Sequence, residues 1–454
     1  MQFLKSTKSL CPVCLKIIDA NVITNNGKVF ITKECKKHGK FKFFHIHDDL
    51  EVYEKMQELL KKVSNFHPSL GTIDLTYKCN LDCPFCCNFG GERENYEPKI
   101  MEIKKQLKRL NKFMSRKRIE LFGGEPTLRK DLLNIVKILK KNGYEILLAT
   151  NGLKLDGVYT KKLKLAGLDV VLLQFDGLDK KTYKILRGKD ILDKKLNAIS
   201  NLRKNKIFVA FFVTLVKGVN DSQIGELISF AINSDIVTID FVPLCPEGRM
   251  PPFKVKHLSN SEILNKIEGQ TGITKYDFLE YTEFIQILVK FLEIPFFRVF
   301  YTFFERGFGK VVQKAPGCLL RCRVFMSESK FIPICRVIKL KKLTRILENT
   351  INISKGEERL TRFKAIFYFS KELFKLMIRN TDYLRLFLIG KFRKALRIGV
   401  WSFNDRYNID FDLIRYCNNI TQMPDGNFGA FCLKNILQTQ LMKKEGYKFN
   451  GGEI

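Results

Sequence analysis

The chain has 454 residues, 45% of them apolar, enough for about two to four domains with buried cores. Its 79 Lys+Arg against 47 Asp+Glu give a net charge of +32, a field that attracts polyanions, whether nucleic acid or an anionic membrane surface, unless the lysines only reflect a proteome bias. The Met1–Cys11 run has no apolar signal-like stretch and the chain has no uninterrupted apolar run of about 18 residues, so neither a secretory signal nor a transmembrane helix is expected.

Thirteen cysteines in metal-ligand spacings fit a reducing cytoplasm better than a disulfide framework. The first group lies in residues 1–66, where Cys11-Pro12-Val13-Cys14 precedes Cys35 and His38. Between them, Asn26-Gly27 is flanked by Val22-Ile23 and Val29-Phe30-Ile31, a hairpin signal that draws the two pairs together. The expected unit is a zinc-ribbon or rubredoxin-like knuckle holding zinc or a mononuclear iron, with neutral His38 as fourth ligand. The alternative leaves His38 as a turn residue and three cysteines at the site. A polar helix, Leu50 to Val63, then leads onward.

From residue 67 to 250 short apolar runs alternate with amphipathic ones. The expected strands are Thr72–Thr76, Arg118–Phe122, Glu145–Ala149, Asp169–Phe175, Phe208–Leu215 and Val237–Pro243. Helices are expected over Lys99–Met114, Lys130–Asn142 and Gln223–Asn233. Such alternation implies parallel βαβ units, six of them, too few for a closed eightfold barrel. Directly after the first strand comes a C-x₃-C-x₂-C loop, Cys79, Cys83 and Cys86. Three thiolates that close hold three irons of a 4Fe–4S cluster and leave the fourth iron open to a chelating small molecule. A structural zinc site with a distant fourth ligand is the other reading, but no matching second pair lies nearby. Cys87 and Cys245 read as packed thiols.

Residues 251–315 are expected to form an aromatic-rich helical substrate region, with Phe284, Phe291, Phe296, Phe297, Phe300, Tyr301, Phe303 and Phe304. Residues 316–454 carry the later cysteines: Cys318, Cys335, Cys417 and Cys432 are the preferred ligands of an auxiliary 4Fe–4S cluster, with Cys322 in reserve. Buried inert thiols are the alternative. A strand pair is expected between Cys322 and Cys335. Residues 359–400 form a basic amphipathic insertion with eleven Lys/Arg against two acids. The tail Lys448–Ile454 is expected to be weakly ordered.

With Gly123-Gly124-Glu125-Pro126 one βα unit downstream, the cysteine loop resembles the radical S-adenosylmethionine (radical SAM) superfamily. The resemblance implies an α/β fold: a partial (β/α)₆ TIM-type barrel, here with the N-terminal knuckle and a C-terminal cysteine-containing α+β extension. It implies that the Gly123–Pro126 edge meets the methionyl amino group of SAM. Asn151 and Asp176, at the third and fourth strand ends, would meet ribose hydroxyls or orient the substrate. Arg187 would pair with the methionyl carboxylate. Thr214 and Lys217–Asp221 are weaker candidates. An ordinary turn at Asn151-Gly152 and a solvated Arg187 are the structural alternatives.

Four further runs narrow the likeness: Asp74–Leu81, Val216–Gly225, Phe331–Ile334 and Pro424–Cys432. Together with the Cys-Pro-Val-Cys knuckle they resemble the archaeal tetraether lipid synthase group over nearly the whole chain. That resemblance implies carbon–carbon coupling of isoprenoid ether lipid tails by a 5′-deoxyadenosyl radical, with ferredoxin or flavodoxin as electron donor. It also implies cytoplasmic residence, peripheral at the inner membrane face. The same group has been labelled as pterin-modifying methyltransferases, and modification of RNA or a peptide is the runner-up. A non-catalytic iron–sulfur or zinc interaction protein is the third class. Two departures stand out: the later cysteines are too few for two complete auxiliary clusters, and the 359–400 insertion is long and positive.

Overall fold

The computed structural model describes residues 1–63, 66–92, 96–250, 257–294, 296–297, 317–327, 330–355, 359–379 and 395–444. Phe300, Tyr301, Phe303 and Phe304, residues 380–394 of the basic insertion and the Lys448–Ile454 tail lie outside them.

Four antiparallel strands open the chain: β1 (Gln2–Leu10), β2 (Ile17–Asn25), β3 (Lys28–Cys35) and β4 (Gly39–Asp49), paired in sequence order. The expected Asn26-Gly27 turn joins β2 to β3, both residues at positive φ. The β1–β2 and β3–β4 turns therefore fall at the same end of the sheet, which is where the Cys/His pairs stand. Helix α1 (Leu50–Lys61), capped by Asp49, follows.

The second sheet is built on six parallel strands: β5 (Leu70–Thr76), β6 (Arg118–Gly123), β7 (Glu145–Thr150), β8 (Val170–Gln174), β9 (Phe208–Leu215) and β10 (Thr238–Pro243). They lie side by side in chain order, each parallel to the next. Helices α2 (Ile100–Leu110), α3 (Leu132–Lys141), α4 (Gly157–Ala166), α5 (Lys180–Arg187), α6 (Leu192–Lys204) and α7 (Ile224–Asn233) connect them. Leu75, Leu121, Leu148, Val171, Phe211 and Ile239 form one core with Ile135, Leu163, Leu202 and Leu227 of the helices. Apolar residues at every second position pack on the helices, such as Ile73 and Leu75, Ile119 and Leu121, and Ile239 and Phe241, which makes the strands legible in sequence, while alternate positions face the cavity.

The sheet does not end there. After helices α8 (Asn260–Thr271) and α9 (Lys275–Glu293), strands β11 (Leu319–Ser327) and β12 (Lys330–Pro333) form the expected hairpin. Helices α10 (Leu340–Ile353) and α11 (Arg359–Arg379) pack with α9 in a separate apolar cluster. Strand β13 (Leu396–Trp401) then inserts between β10 and β11, parallel to β10. Strands β14 (Asn419–Gln422) and β15 (Phe428–Ala430) extend the opposite edge beyond β5, and α12 (Phe431–Lys444) closes the described chain. Residues 396–400, read as part of the basic insertion, are thus a sheet strand: Leu396, Ile398 and Val400 are buried in the barrel core.

The ribbon is fastened to the C-terminal region. Thr7 Oγ1 donates to Asp410 (2.6 Å), Ser9 Oγ to the Ile409 carbonyl (2.6 Å), and Lys5 pairs with Asp410 at 2.8 Å. Leu10 packs with Ile409, Ile414, Cys432 and Ile436.

Candidate active site and metal centres

At the ribbon tip, one ligand atom from each of Cys11, Cys14, Cys35 and His38 lies within 4.8 Å of every other. His38 Nδ1 is 3.5 Å from both Cys11 Sγ and Cys35 Sγ, so Nδ1 is the nitrogen facing the thiols. The Lys37 amide, and then His38, bring the Cys35 thiol down to about 6. The set is compact, of mixed S/N character and tetrahedral in number, and it fits one metal ion.

The barrel encloses a cavity of about 1130 Å³ that reaches from the cysteine loop to Arg118 and Glu145 at the opposite strand ends. Cys79, Cys83 and Cys86 all line it, as do Gly123, Gly124, Asn151 and Arg187. None of the three thiols is in a disulfide. Burial pushes Cys79 up to about 11 and Cys86 to about 12. Cys86 Sγ accepts from the Gly90 amide (3.3 Å), and the Cys86 backbone exchanges hydrogen bonds with Arg249 at 3.1 and 2.9 Å. Three cavity-facing thiols on one braced loop fit the three-ligand cluster.

Gly123 and Gly124 pass directly against the end of β5. Their neighbours leave no space for a Cβ at either position, with the Thr76 and Lys78 carbonyls in the way, and Gly123 has φ +134. The Gly124 and Glu125 amides donate to those same carbonyls at 2.7 and 2.8 Å. Glu125 points away from the cavity: its carboxylate accepts from Thr127 N and Oγ1, Thr150 Oγ1 (2.7 Å) and Asn151 N (2.7 Å). It ties the second strand end to the third, and Pro126 starts the short turn behind it. Asn151 reaches Asn80 of the cysteine loop at 2.7 Å.

Asp176 differs from its expected role, and Arg187 is a buried, paired group, not a solvated charge. Arg187 Nε and Nη2 donate to the two Asp176 oxygens at 2.7 and 2.9 Å, and Nη2 also donates to Thr214 Oγ1 at 3.0 Å. Asp176 is fully buried, also accepts from the Thr214 amide, and does not line the cavity. A carboxylate already holding a bidentate guanidinium is a support for the site, so it has no oxygen left for a ribose hydroxyl. Arg187 in turn faces Cys83. Asn220 donates to the Asp176 and Thr214 carbonyls, which makes Lys217–Asp221 a brace for this pair.

Sequence reading missed two buried lysines at the barrel site. Lys195 of α6 donates to the Asn151 carbonyl (2.5 Å), the Gln174 carbonyl (2.8 Å) and Gln174 Oε1 (2.6 Å); burial lowers it to about 7. Lys434 of α12 donates to Asp74 (2.5 Å) and Asn88 (3.0 Å). A lone lysine on an amphipathic helix gives no signal of burial in sequence.

The later cysteines divide into two places. Cys318, Cys417 and Cys432 line the cavity together with Cys245 and Cys87. The Cys432 thiol, raised by burial, also feels Cys417 and Cys318, and Cys245 feels Cys432. Cys322 lies on the other face of β11, in the core with Leu320 and Val324, because strand side chains alternate. Cys335 stands outside the barrel, its thiol 3.2 Å from an Asp277 oxygen. Cys322 and Cys335 therefore leave the expected auxiliary set. Cys245 and Cys87, read as packed thiols, face the cavity.

Residues 73–231 match the family model described as the radical SAM superfamily, and residues 3–44 match the HMPTM N-terminal zinc ribbon domain. A Methanocaldococcus jannaschii protein named 7,8-dihydro-6-hydroxymethylpterin dimethyltransferase is 30% identical over 494 residues, covering 97% of this chain and 95% of that one. The chain belongs to the radical SAM superfamily. It is an enzyme of that superfamily, and 4Fe–4S and SAM are its cofactors beside a ribbon metal. A probable GTP 3′,8-cyclase of Pyrococcus horikoshii is 39% identical over 162 residues, 35% of this chain and 51% of that protein. Streptococcus suis SuiB matches 48% of this radical SAM chain and 49% of its own at 19% identity and TM-score 0.38.

Proposed function

We propose that this radical SAM enzyme modifies an unactivated C–H bond of a pterin-type heterocycle held inside the barrel. The observation that carries the substrate class is Asp240. It is buried on β10 and lines the cavity, where neither its Oδ1 nor the neighbouring Trp401 Nε1–H makes a hydrogen bond of normal geometry among the described residues. Burial raises its carboxyl, while Arg397, the Trp401 side chain and Arg321 oppose the shift. Gly399 lies opposite in register, and any Cβ there would collide with Asp240 Oδ1. A saturated hydrocarbon offers such a carboxylate nothing, whereas the amidine edge of a pterin donates two N–H groups. The name of the M. jannaschii relative supports the same class.

Bound at the Cys79/Cys83/Cys86 cluster, SAM supplies the hydrogen-abstracting chemistry that no amino-acid acid or base provides. The chain's residues do the rest in this reading. Gly123 and Gly124 give SAM a close backbone edge, with Glu125, Asn151 and Lys195 fixing the neighbouring strand ends. The Asp176–Arg187 pair holds the loop at Cys83. Cys245, Cys318, Cys417 and Cys432, which line the same cavity, are the ligands we assign to an auxiliary 4Fe–4S cluster. Ferredoxin or flavodoxin would serve as electron donor.

A second reading, coupling of ether-lipid tails at an anionic membrane surface, is favoured by one observation: helix α11 exposes Phe363, Phe367, Phe374 and Ile378. Anaerobic incubation with SAM and dithionite, with pterin and ether-lipid pools supplied separately, separates the two. Mass spectrometry should show a mass-shifted pterin formed with 5′-deoxyadenosine. The Asp240→Asn variant should raise KM for the pterin while leaving substrate-free SAM cleavage intact. A mass-shifted lipid with unchanged pterin would overturn the proposal in favour of the second reading.

A further inference from the structure

We infer that the outer face of helix α11 (Arg359–Arg379) is a docking surface for an anionic lipid membrane. The inference does not depend on which substrate the barrel takes.

The helix carries two apolar faces. Ala365, Phe369, Leu373 and Leu376 are buried against α9 and α10, with the Phe369 ring 4.8 Å from Phe291 and 5.8 Å from Phe297. That face accounts for the folding role of the helix. The second face is surplus to it: Phe363, Phe367, Phe374 and Ile378 are 62%, 70%, 64% and 64% exposed. At 3.6 residues per turn these four positions fall within an arc of roughly 60°. A single exposed apolar side chain needs no explanation, but an aligned row of four on one helix is a contact surface.

Charge selects the occupant. Lys364, Lys371 and Lys375 project beside one edge of the stripe and Arg362 lies toward the other, all four exposed. Lys371 Nζ sits 5.9 Å from the Phe367 ring centroid. Glu372 is the one acidic residue between 359 and 379, and it is paired with Lys375 at 2.8 Å. An anionic bilayer meets both halves of this pattern, taking the rings into the headgroup boundary while lysine stems reach outward to lipid phosphates. RNA would satisfy the cations and leave the rings in water. No described helix is long and apolar enough to cross a membrane, so the contact is interfacial.

The test is flotation of the full-length protein with neutral phosphatidylcholine vesicles and with vesicles that also contain phosphatidylglycerol, without SAM or substrate. That readout is blind to turnover, so its failure is distinct from failure of the substrate assignment. Binding to the anionic vesicles should fall steeply with salt, and neutral vesicles should bind little. Lys364→Glu/Lys371→Glu/Lys375→Glu should lower anionic-vesicle affinity roughly hundredfold at low salt. Phe363→Ser/Phe367→Ser/Phe374→Ser should lower it about tenfold or more, with unchanged far-UV circular dichroism and SAM cleavage. Phe367→Trp should add a blue-shifted emission component on anionic vesicles. Equal affinity for both vesicle types, no binding, indifference to the phenylalanine changes, or tighter salt-sensitive binding to RNA would each overturn the inference.

Discussion

The ribbon tip and the barrel mouth both gather cysteines on turns at the ends of strands, yet their geometries call for different metals. At the ribbon, three thiols and an imidazole converge within 4.8 Å of one another, the scale of a single tetrahedral ion. At the barrel mouth, Cys79, Cys83 and Cys86 share a cavity with a glycine edge and with further thiols. The first arrangement is closed; the second leaves room for a ligand on the metal. Residue type alone does not separate structural from reactive metal sites: backbone spacing and the adjoining space do.

The sharpest way to break that contrast is to remove the barrel-mouth thiols together. The Cys79→Ala/Cys83→Ala/Cys86→Ala variant should lose 5′-deoxyadenosine formation completely and keep one ribbon metal per chain by elemental analysis. Persistent SAM cleavage would put the open iron elsewhere.

The Asp176–Arg187 pair sharpens the barrel side of the comparison. Arg187→Met leaves a buried carboxylate without its guanidinium and should cost about 3–5 kcal/mol in urea unfolding. Replacing both partners by apolar residues should recover part of that loss. A single variant as stable as the parent would show that the pair is not buried as a unit.

Lys195 gives a pH signature on the barrel side of the comparison. Its folded-state value, about 7, lies below the ordinary lysine value of 10.5. Between those limits the unfolded chain binds the extra proton, so stability should rise with pH from about 7 towards 10, with a slope up to about 1.4 kcal/mol per unit. Lys195→Met should flatten that rise. An unchanged profile would mean that the folded protein keeps the ammonium charged.

The smallest effect is expected at the ribbon. His38→Ala should weaken metal retention against a chelator, while SAM cleavage at saturating SAM stays within about twofold, since the two sites share no ligand. A large loss of cleavage would couple ribbon and barrel through the Thr7–Asp410 and Leu10–Cys432 contacts.

What could be read in the sequence follows from how local each signal is. Strand β9 was visible at its observed limits, Phe208–Leu215, because its side chains are apolar on the helix-covered face and almost all apolar on the cavity face. The cysteine spacings were equally plain. Strand β13 was not, because in sequence Leu396–Trp401 continues a basic stretch, and only its nonlocal pairing with β10 and β11 makes it a strand. The same limit explains Cys245 and Cys335. Each is a lone cysteine in sequence, and only the fold puts one on the cavity wall and the other beside Asp277. Asp176 and Arg187 were both singled out, but nothing local shows that they spend their charges on each other.

The central claim is an open iron at Cys79, Cys83 and Cys86 that chelates SAM. Electron paramagnetic resonance of the anaerobically reconstituted, dithionite-reduced protein, recorded with and without SAM, tests it most directly. The account predicts a reduced 4Fe–4S signal whose g-values shift on adding SAM, and no SAM-responsive component in the triple alanine variant. A wild-type spectrum indifferent to SAM would contradict it.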